Sequence, residues 1–268
     1  MSTHTTPPSR LGATFADCRA EGRAALIGYF PVGYPDLETS LTTVRTMVDA
    51  GCDIIEIGIP YSDPVMDGPT IARAAEKALA GGTRVRDVMV AAEAIAAAGA
   101  KPVVMSYWNL VLQYGVDTFA RDLAAAGGAG LITPNLIPEE GAEWHAAADA
   151  HDLDRIYLVA PSSTPERIAL TVDACRGFVY AASTMGVTGA RSSVSNAAPA
   201  LCARVREYSD IPIGVGLGVR DGDQAAEIGA YADGVIVGSA IVSAADKGQD
   251  AVAALVADLA DGVRRSRA

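Results

Sequence analysis

The sequence predicts an α/β protein, a single (β/α)8 TIM barrel with an extra N-terminal helix. Its 268 residues, half of them hydrophobic, suit one domain of that size class. An Ala-rich helical run that ends in glycine and leads into an apolar strand recurs along the chain, as in V-D-A-G-C-D-I-I-E-I at Val48. Because consecutive parallel strands need a helical crossover, this repeat indicates a parallel sheet. An open doubly wound sheet is the alternative architecture.

The elements follow in order along the chain. Eight short apolar runs are predicted as strands, at 25–30, 53–58, 102–106, 130–132, 155–159, 178–181, 212–215 and 234–237. Helices are predicted at 11–21, 37–50, 69–79, 85–98, 116–126, 139–150, 165–174, 196–208, 222–229 and 249–263. The first of these helices precedes the first strand. We expect residues 1–10 to form a flexible tail and residues 11–268 to form the single barrel domain.

Composition excludes several classes of partner. A formal net charge of −11 disfavours a nucleic-acid or anionic-membrane surface. No apolar run approaches the roughly 20 residues needed to cross a membrane, and the Thr/Pro-rich start lacks the apolar core of a signal peptide. The four cysteines are far apart and form no C-x-x-C motif, which is typical of free thiols in a reducing cytoplasm. We therefore expect a cytoplasmic protein that contacts neither nucleic acid nor membrane.

The segment 53–70 carries Glu56 in its strand and Asp63 and Asp67 in the loop that follows, and in a TIM barrel the chemistry belongs at this junction of strand and loop. Glu56 lies inside the second strand, where an isolated carboxylate is costly. It could pair with a cation of the helix layer, fill the lower lumen as a structural group, or exchange protons at the barrel mouth. Alternation places Ile54, Glu56 and Gly58 on one face but does not decide whether that face is the lumen.

The loop acids and the aromatic residues have structural alternatives. Asp67 could make turn hydrogen bonds or cap the helix that begins near Pro69, and Asp63 before Pro64 is a natural turn starter. Tyr29 and Tyr180, which end the first and sixth strands, are of residue types that pack more often than they react. The histidines lie away from strand ends, and no catalytic-triad or metal-ligand spacing emerges. No metal site is predicted.

Two glycine-rich loops follow the last two strands and predict a phosphate site. They contain Gly216 and Gly218 in the first loop and Gly238 with Ser239 in the second. In TIM barrels a phosphate commonly rests between these loops and the start of a short extra helix, where backbone N–H groups donate to it. Ser239 could add a hydroxyl donor. Either loop alone could be no more than a tight turn.

These motifs together resemble the tryptophan synthase alpha chain family. The resemblance rests on E-I-G-I-P-Y-S-D-P-V-M-D-G-P-T at Glu56, Y-x-x-S-x-x-G-V-T-G at Tyr180 and the loops G-L-G and G-S-A, and it spans nearly the whole chain from Pro31. It implies a lyase that splits indole-3-glycerol phosphate into indole and glyceraldehyde 3-phosphate. It also implies that Glu56 is the proton shuttle, that Asp67 holds the indole N–H, and that the chain itself needs no cofactor.

The resemblance further implies a set of contacts. Phosphate contacts would come from Gly189, Gly218, Gly238 and Ser239, and the indole and glycerol lining from Tyr29, Met105 and Tyr180. The loops 59–68 and 182–195 correspond to mobile lids. In the family, an alpha2-beta2 complex passes indole to a beta chain that carries pyridoxal phosphate. That beta chain would meet Pro60, Asp63, Asn109, Asn135 and Pro138.

The chain departs from the family pattern at two positions near this surface. Asn135 stands where an Asp is common, and Ile137 stands where Pro is frequent. Two alternative functions are a stand-alone indole-forming lyase and a non-catalytic regulatory barrel that binds a phosphorylated ligand.

Overall fold

Parallel strands form the centre of the molecule. The computed structural model describes residues 9–182, 197–216 and 218–267. Within those ranges, nine strands form one parallel sheet in the order β5-β4-β3-β2-β1-β9-β8-β7-β6. They are β1 (Ala25–Pro31), β2 (Ile54–Gly58), β3 (Lys101–Met105), β4 (Gly130–Ile132), β5 (Asp154–Ile156), β6 (Leu158–Val159), β7 (Val179–Ala182), β8 (Ile213–Gly216) and β9 (Gly234–Val237).

The sheet closes into the predicted barrel at the fifth predicted strand. The predicted strand at 155–159 is divided into β5, which pairs with β4, and β6, which pairs with β7. Tyr157 alone separates them. Its N–H donates to Cys175 Sγ at 3.4 Å, whereas its carbonyl still accepts from Tyr180 N at 3.0 Å. The two ends of the sheet are therefore consecutive pieces of chain, and the open-sheet alternative is wrong.

Helices surround the sheet, and each predicted helix is present within a few residues of its expected bounds. They are α1 (Arg10–Ala20), α2 (Leu37–Asp49), α3 (Pro69–Ala80), α4 (Asp87–Ala98), α5 (Trp108–Tyr114), α6 (Val116–Ala125), α7 (Ala142–Ala150), α8 (Pro165–Ala174), α9 (Ala197–Arg206), α10 (Gly222–Gly229), α11 (Ser239–Ala245) and α12 (Gln249–Arg265). None of these helices is both long and apolar enough to cross a membrane. The helix α5 was not predicted, and a 3₁₀ turn over Pro138–Glu140 replaces the start of the predicted helix at 139.

Side chains of alternate strand residues separate into two cores. Every second residue faces the lumen, and this inner cluster includes Ile27, Ile54, Val103, Ile132, Ile156, Phe178 and Ile236. Their neighbours, such as Ile55 and Ile57, pack outward against the helices. The parity of β2 therefore places Glu56 on the lumen side.

The extra helix α1 closes one end of the lumen. Leu11 and Phe15 belong to the inner cluster, and the Phe15 ring lies 5.5 Å from the Phe178 ring, centroid to centroid. The buried carboxyl of Asp154 anchors the start of this helix. It accepts from Ser9 Oγ at 2.7 Å and from Leu11 N at 2.9 Å, and it lies 3.2 Å from Arg176 Nε. A ligand can therefore approach the lumen only from the other end, at the carboxyl ends of the strands.

Candidate active site

Glu56 is a buried acid in an apolar environment. It lies in the middle of β2, flanked in register by Tyr29 of β1 and Val103 of β3, and only 1% of its surface is exposed. Its Oε2 has no hydrogen-bond partner in the described part of the chain. Burial raises the pKa of Glu56 to about 8. The carboxyl is therefore mostly protonated at neutral pH and can donate a proton. The ion-pair alternative, with a helix-layer cation, is not supported.

Tyr29 brings the two candidate acids together. Burial raises its pKa well above the usual range, and the charges of Asp67 and then Glu56 raise it further. Two glycines make room for its side chain. A Cβ on Gly58 would collide with the Tyr29 hydroxyl, and one on Gly238 would lie 3.3 Å from the ring. Both acids and the end of β9 thus surround one tyrosine.

Tyr180 and Met105 complete the wall of the lumen. Burial and then the charge of Glu56 raise the pKa of Tyr180 well above its usual range. A Cβ on Gly216 would collide with the Tyr180 hydroxyl. Met105 ends β3 opposite Gly58 and packs against the inner cluster. The predicted lining residues therefore surround the end of the lumen that contains Glu56.

Asp67 lies on the loop between β2 and α3. Burial raises its pKa, although its side chain is less deeply buried than that of Glu56. The helix-cap interpretation is wrong. Gly68 occupies the cap position of α3, and no hydrogen bond joins the Asp67 carboxyl to the first turn of that described helix. The Asp67 carboxyl is thus not the cap of α3.

Tyr107 belongs to the site, and the sequence analysis missed it. It directly precedes α5 and is 7% exposed. Its hydroxyl oxygen accepts from Val65 N and from Met66 N, both at 3.1 Å. The charge of Asp67 contributes to a raised pKa of Tyr107, after burial. The available signal was an aromatic residue two positions past the end of a barrel strand, where functional side chains gather.

The predicted phosphate residues lie at the ends of β8 and β9. These strands are neighbours, with Gly216 opposite Ile236, so the loops that follow them are adjacent. Gly218 has φ of 70°, a left-handed conformation that glycine adopts without strain. Ser239 is 9% exposed and is the first residue of α11. Gly189, and with it residues 183–195 of the predicted lid, lies outside the described residues.

The predicted partner residues differ in exposure. Asp63, Asn109 and Asn135 are exposed and Pro138 is half-buried, but Pro60 is buried and offers no side-chain surface. Three large apolar side chains are exposed on the segments that follow β2, β3 and β4, namely Val65 (74%), Leu112 (46%) and Ile137 (45%). These strands are neighbours in the sheet.

Other reactive groups do not converge. Within the described ranges, no three His, Cys, Asp or Glu side chains come together in a way that could hold a metal ion. All four cysteines are free, and three of them are buried. His145 Nε2 is hydrogen-bonded to Tyr157 Oη at 2.8 Å, and His151 Nε2 lies 3.2 Å from Asp117 Oδ1. The acids and tyrosines of the lumen are therefore the reactive groups available to a ligand.

The pKa of Glu56 predicts a pH-dependent stability. The folded chain keeps this proton between about pH 4.5 and pH 8, where the unfolded chain loses it. The free energy of unfolding should therefore fall as pH rises through this window, by up to about 1.4 kcal/mol per pH unit. This pH dependence should be absent from Glu56→Gln. In urea titrations, the free energy of unfolding of the variant relative to that of the wild type should therefore increase from pH 5 to pH 8. The exposed Glu143→Gln of α7 is the control, and parallel pH profiles for Glu56→Gln and wild type would contradict the assignment.

Known proteins of the same kind match almost the entire chain. The family model of the tryptophan synthase alpha chain matches residues 15–266. The tryptophan synthase alpha chain of Nocardia farcinica is 71% identical over 256 residues, covering 96% of each chain. That of Mycobacteroides abscessus is 69% identical over 261 residues, covering 97% of this chain and all of the relative. A solved chain of Mycobacterium tuberculosis tryptophan synthase superposes with a TM-score of 0.93 at 66% identity, covering 96% of this chain and 99% of the other. The chain therefore belongs to the tryptophan synthase alpha chain family.

Proposed function

We propose that Glu56 and Asp67 are the two acids with which this chain cleaves indole-3-glycerol phosphate, the lyase half-reaction of its family. The observation that supports this most is the state of Glu56. Its carboxyl is buried, mostly protonated at neutral pH and, within the described ranges, without a hydrogen-bond partner for Oε2, and it lies on the lumen side of β2. A general acid needs a pKa close to the working pH, and a merely structural acid would be bonded.

The two acids have distinct roles in the retro-aldol cleavage. Glu56 donates its proton to the indole carbon that carries the glycerol chain, which makes the ring a cation. The Glu56 carboxylate then takes the proton of the adjacent glycerol hydroxyl. The C–C bond breaks as the aldehyde forms, and its electron pair returns to the ring to give indole. The proton count is unchanged, so Glu56 is regenerated.

Asp67 acts as a charge partner in this scheme. It accepts a hydrogen bond from the ring N–H and stabilises the positive charge that develops there. This role needs an ionised carboxylate, which the greater exposure of Asp67 favours. Two carboxyls in environments that differ in burial can thus take different protonation states, as acid and anion. Tyr29, Met105 and Tyr180 line the space around the indole and glycerol.

The phosphate of the substrate is held at the ends of β8 and β9. Gly218 and Gly238 let the backbone approach the anion, and Ser239 adds a hydroxyl next to the N–H groups of the first turn of α11. Gly189 is the further phosphate contact that the family resemblance implies. Backbone donors of this kind explain how a chain with a net charge of −11 binds an anion.

The chain acts with a beta chain that takes up the indole. We infer an alpha2-beta2 assembly in which pyridoxal phosphate is bound by the beta chain alone. The exposed apolar side chains of Val65, Leu112 and Ile137 support a docking surface on the segments after three neighbouring strands. Asp63, Asn109, Asn135 and Pro138 belong to the same face. A cytoplasmic location is consistent with four free thiols.

Loss of the Glu56 acid should abolish indole release. Glu56→Gln keeps the size of the side chain but cannot shuttle a proton, so turnover should fall by at least about 100-fold. Substrate binding, measured by calorimetry, should change little. Asp67→Asn should also lose at least about 100-fold in turnover, with and without a beta chain. Wild-type turnover in Glu56→Gln would exclude the proposed mechanism, and the exposed Glu143→Gln is the control.

Removal of the Ser239 hydroxyl should weaken the phosphate contact specifically. In Ser239→Ala the KM for indole-3-glycerol phosphate should rise about tenfold with little change in kcat, the size expected for one hydrogen bond to a charged group. Inorganic phosphate should inhibit the variant less than the wild type. Ser243→Ala, an exposed serine on the same helix, should leave both values unchanged. An unaltered KM in Ser239→Ala would argue against this phosphate site.

An introduced charge should disturb the beta-chain surface. Ile137→Asp places a carboxylate on an apolar contact, so the Kd for a tryptophan synthase beta chain, measured by calorimetry, should rise by at least about tenfold. Indole release by the isolated chain should be unaffected. Leu170→Asp provides a matched control, because Leu170 is similarly exposed (40%) but lies on α8. Equal affinities of the two variants would contradict this placement of the surface.

A further inference from the structure

We propose that Tyr107 is a positioning residue that fixes the segment carrying Asp67. This inference rests on the proposed role of Asp67. The Tyr107 hydroxyl accepts from two consecutive backbone N–H groups, those of Val65 and Met66, at 3.1 Å each. Met66 immediately precedes Asp67, so these bonds hold the backbone one residue away from the acid.

The backbone bonds to Tyr107 are more specific than the side-chain packing of Val65. Val65 is 74% exposed, so its side chain contributes little packing. Its backbone N–H, in contrast, donates to the Tyr107 hydroxyl. The Asp67 carboxyl has no bond to α3. A buried hydroxyl that accepts from two consecutive loop amides therefore fixes the backbone of this segment next to Asp67. Catalytic groups need such fixation, because displacement by about 1 Å can cost about 100-fold in rate.

Tyr107 is itself held by its neighbours. Its ring packs against Tyr61 of the same loop, with centroids 4.8 Å apart, and Asn109 donates to the Tyr61 hydroxyl at 3.3 Å. The N–H of Trp108 donates to Asn135 Oδ1 at 2.9 Å, which ties the start of α5 to the segment after β4. The segments after β2, β3 and β4 are thereby connected, with Tyr107 in the middle.

This arrangement also gives Asn135 a task. Its side-chain oxygen needs only to accept from the Trp108 N–H, and an amide does so as well as a carboxylate. Asn in place of the more common Asp therefore keeps the connection and removes a charge from the face of the barrel.

The test is Tyr107→Phe in the full-length chain, assayed alone and with a tryptophan synthase beta chain. The variant keeps the ring on Tyr61 but leaves the Val65 and Met66 amides without their acceptor. We expect kcat to fall about tenfold, the size of one or two neutral hydrogen bonds, with KM changed less than about twofold. Hydrogen exchange of the Val65 and Met66 amides should accelerate at least about tenfold. Tyr114→Phe is the matched control. Tyr114 lies at the other end of α5, where its hydroxyl donates to Asp122, so its loss should leave kcat unchanged.

A double-mutant cycle separates positioning from general damage. In the Asp67→Asn background, Tyr107→Phe should reduce the rate less than about twofold, measured in single turnovers with enzyme in excess. If the rate reductions of Tyr107→Phe and Asp67→Asn multiply fully in the double variant, the proposal is overturned. It is also overturned if Tyr107→Phe changes neither kcat nor the hydrogen exchange of the Val65 and Met66 amides. Wild-type turnover in Asp67→Asn would instead refute the role of Asp67 itself. The two failures are therefore distinguishable.

Discussion

Closure of a parallel sheet imposes one constraint on every strand of this molecule. Residues of one parity face the lumen and residues of the other face the helices, and the strands from β4 through β1 and β9 to β7 cannot slip easily, because each of them is paired on both sides. A shift of β2 by one residue would bury Ile55 or Ile57 in the lumen and turn Glu56 toward the helix layer. The lower lumen filled by isoleucine and phenylalanine, the position of α1 and the state of the acid all depend on that parity.

The same constraint makes the site energetically costly. A carboxyl in an apolar lumen is destabilising when ionised, and the chain accommodates it in the protonated form. That form is also the one that a proton donor requires. The glycines beside Tyr29 and Tyr180 give up packing in the same region, so that large aromatic side chains can lie over the strand ends. Stability is thus lower where we propose that the chemistry occurs, which is a common relation in enzymes.

Most of the fold could be predicted from the sequence, because its signals are local. Glycine closures, apolar strands and helical periodicity place the strands and nearly all of the helices within a few residues. The helix α5 was missed because seven residues carry too little periodicity to be recognised. The split at Tyr157 was missed because it depends on Cys175, which is distant in sequence.

The candidate site was predictable in its residues but not in its geometry. Alternation identified the face of Glu56, yet only barrel closure shows that this face is the lumen. Asp67 was a plausible cap until the structure placed Gly68 at the start of α3. Tyr107 escaped notice because its two bonds join segments more than 40 residues apart, and no spacing rule reports them.

The anchoring of α1 has a consequence for the order in which the chain can assemble. This helix is synthesised before every barrel strand, yet its anchor Asp154 follows Ser9 by 145 residues, and its ring partner Phe178 follows later still. The strand β1 likewise waits for β9, since Ala25 pairs with Gly234. The helix α1 can therefore complete its native contacts only after most of the barrel has been synthesised. A helix made before all the strands is thus among the last elements to reach its full set of native contacts.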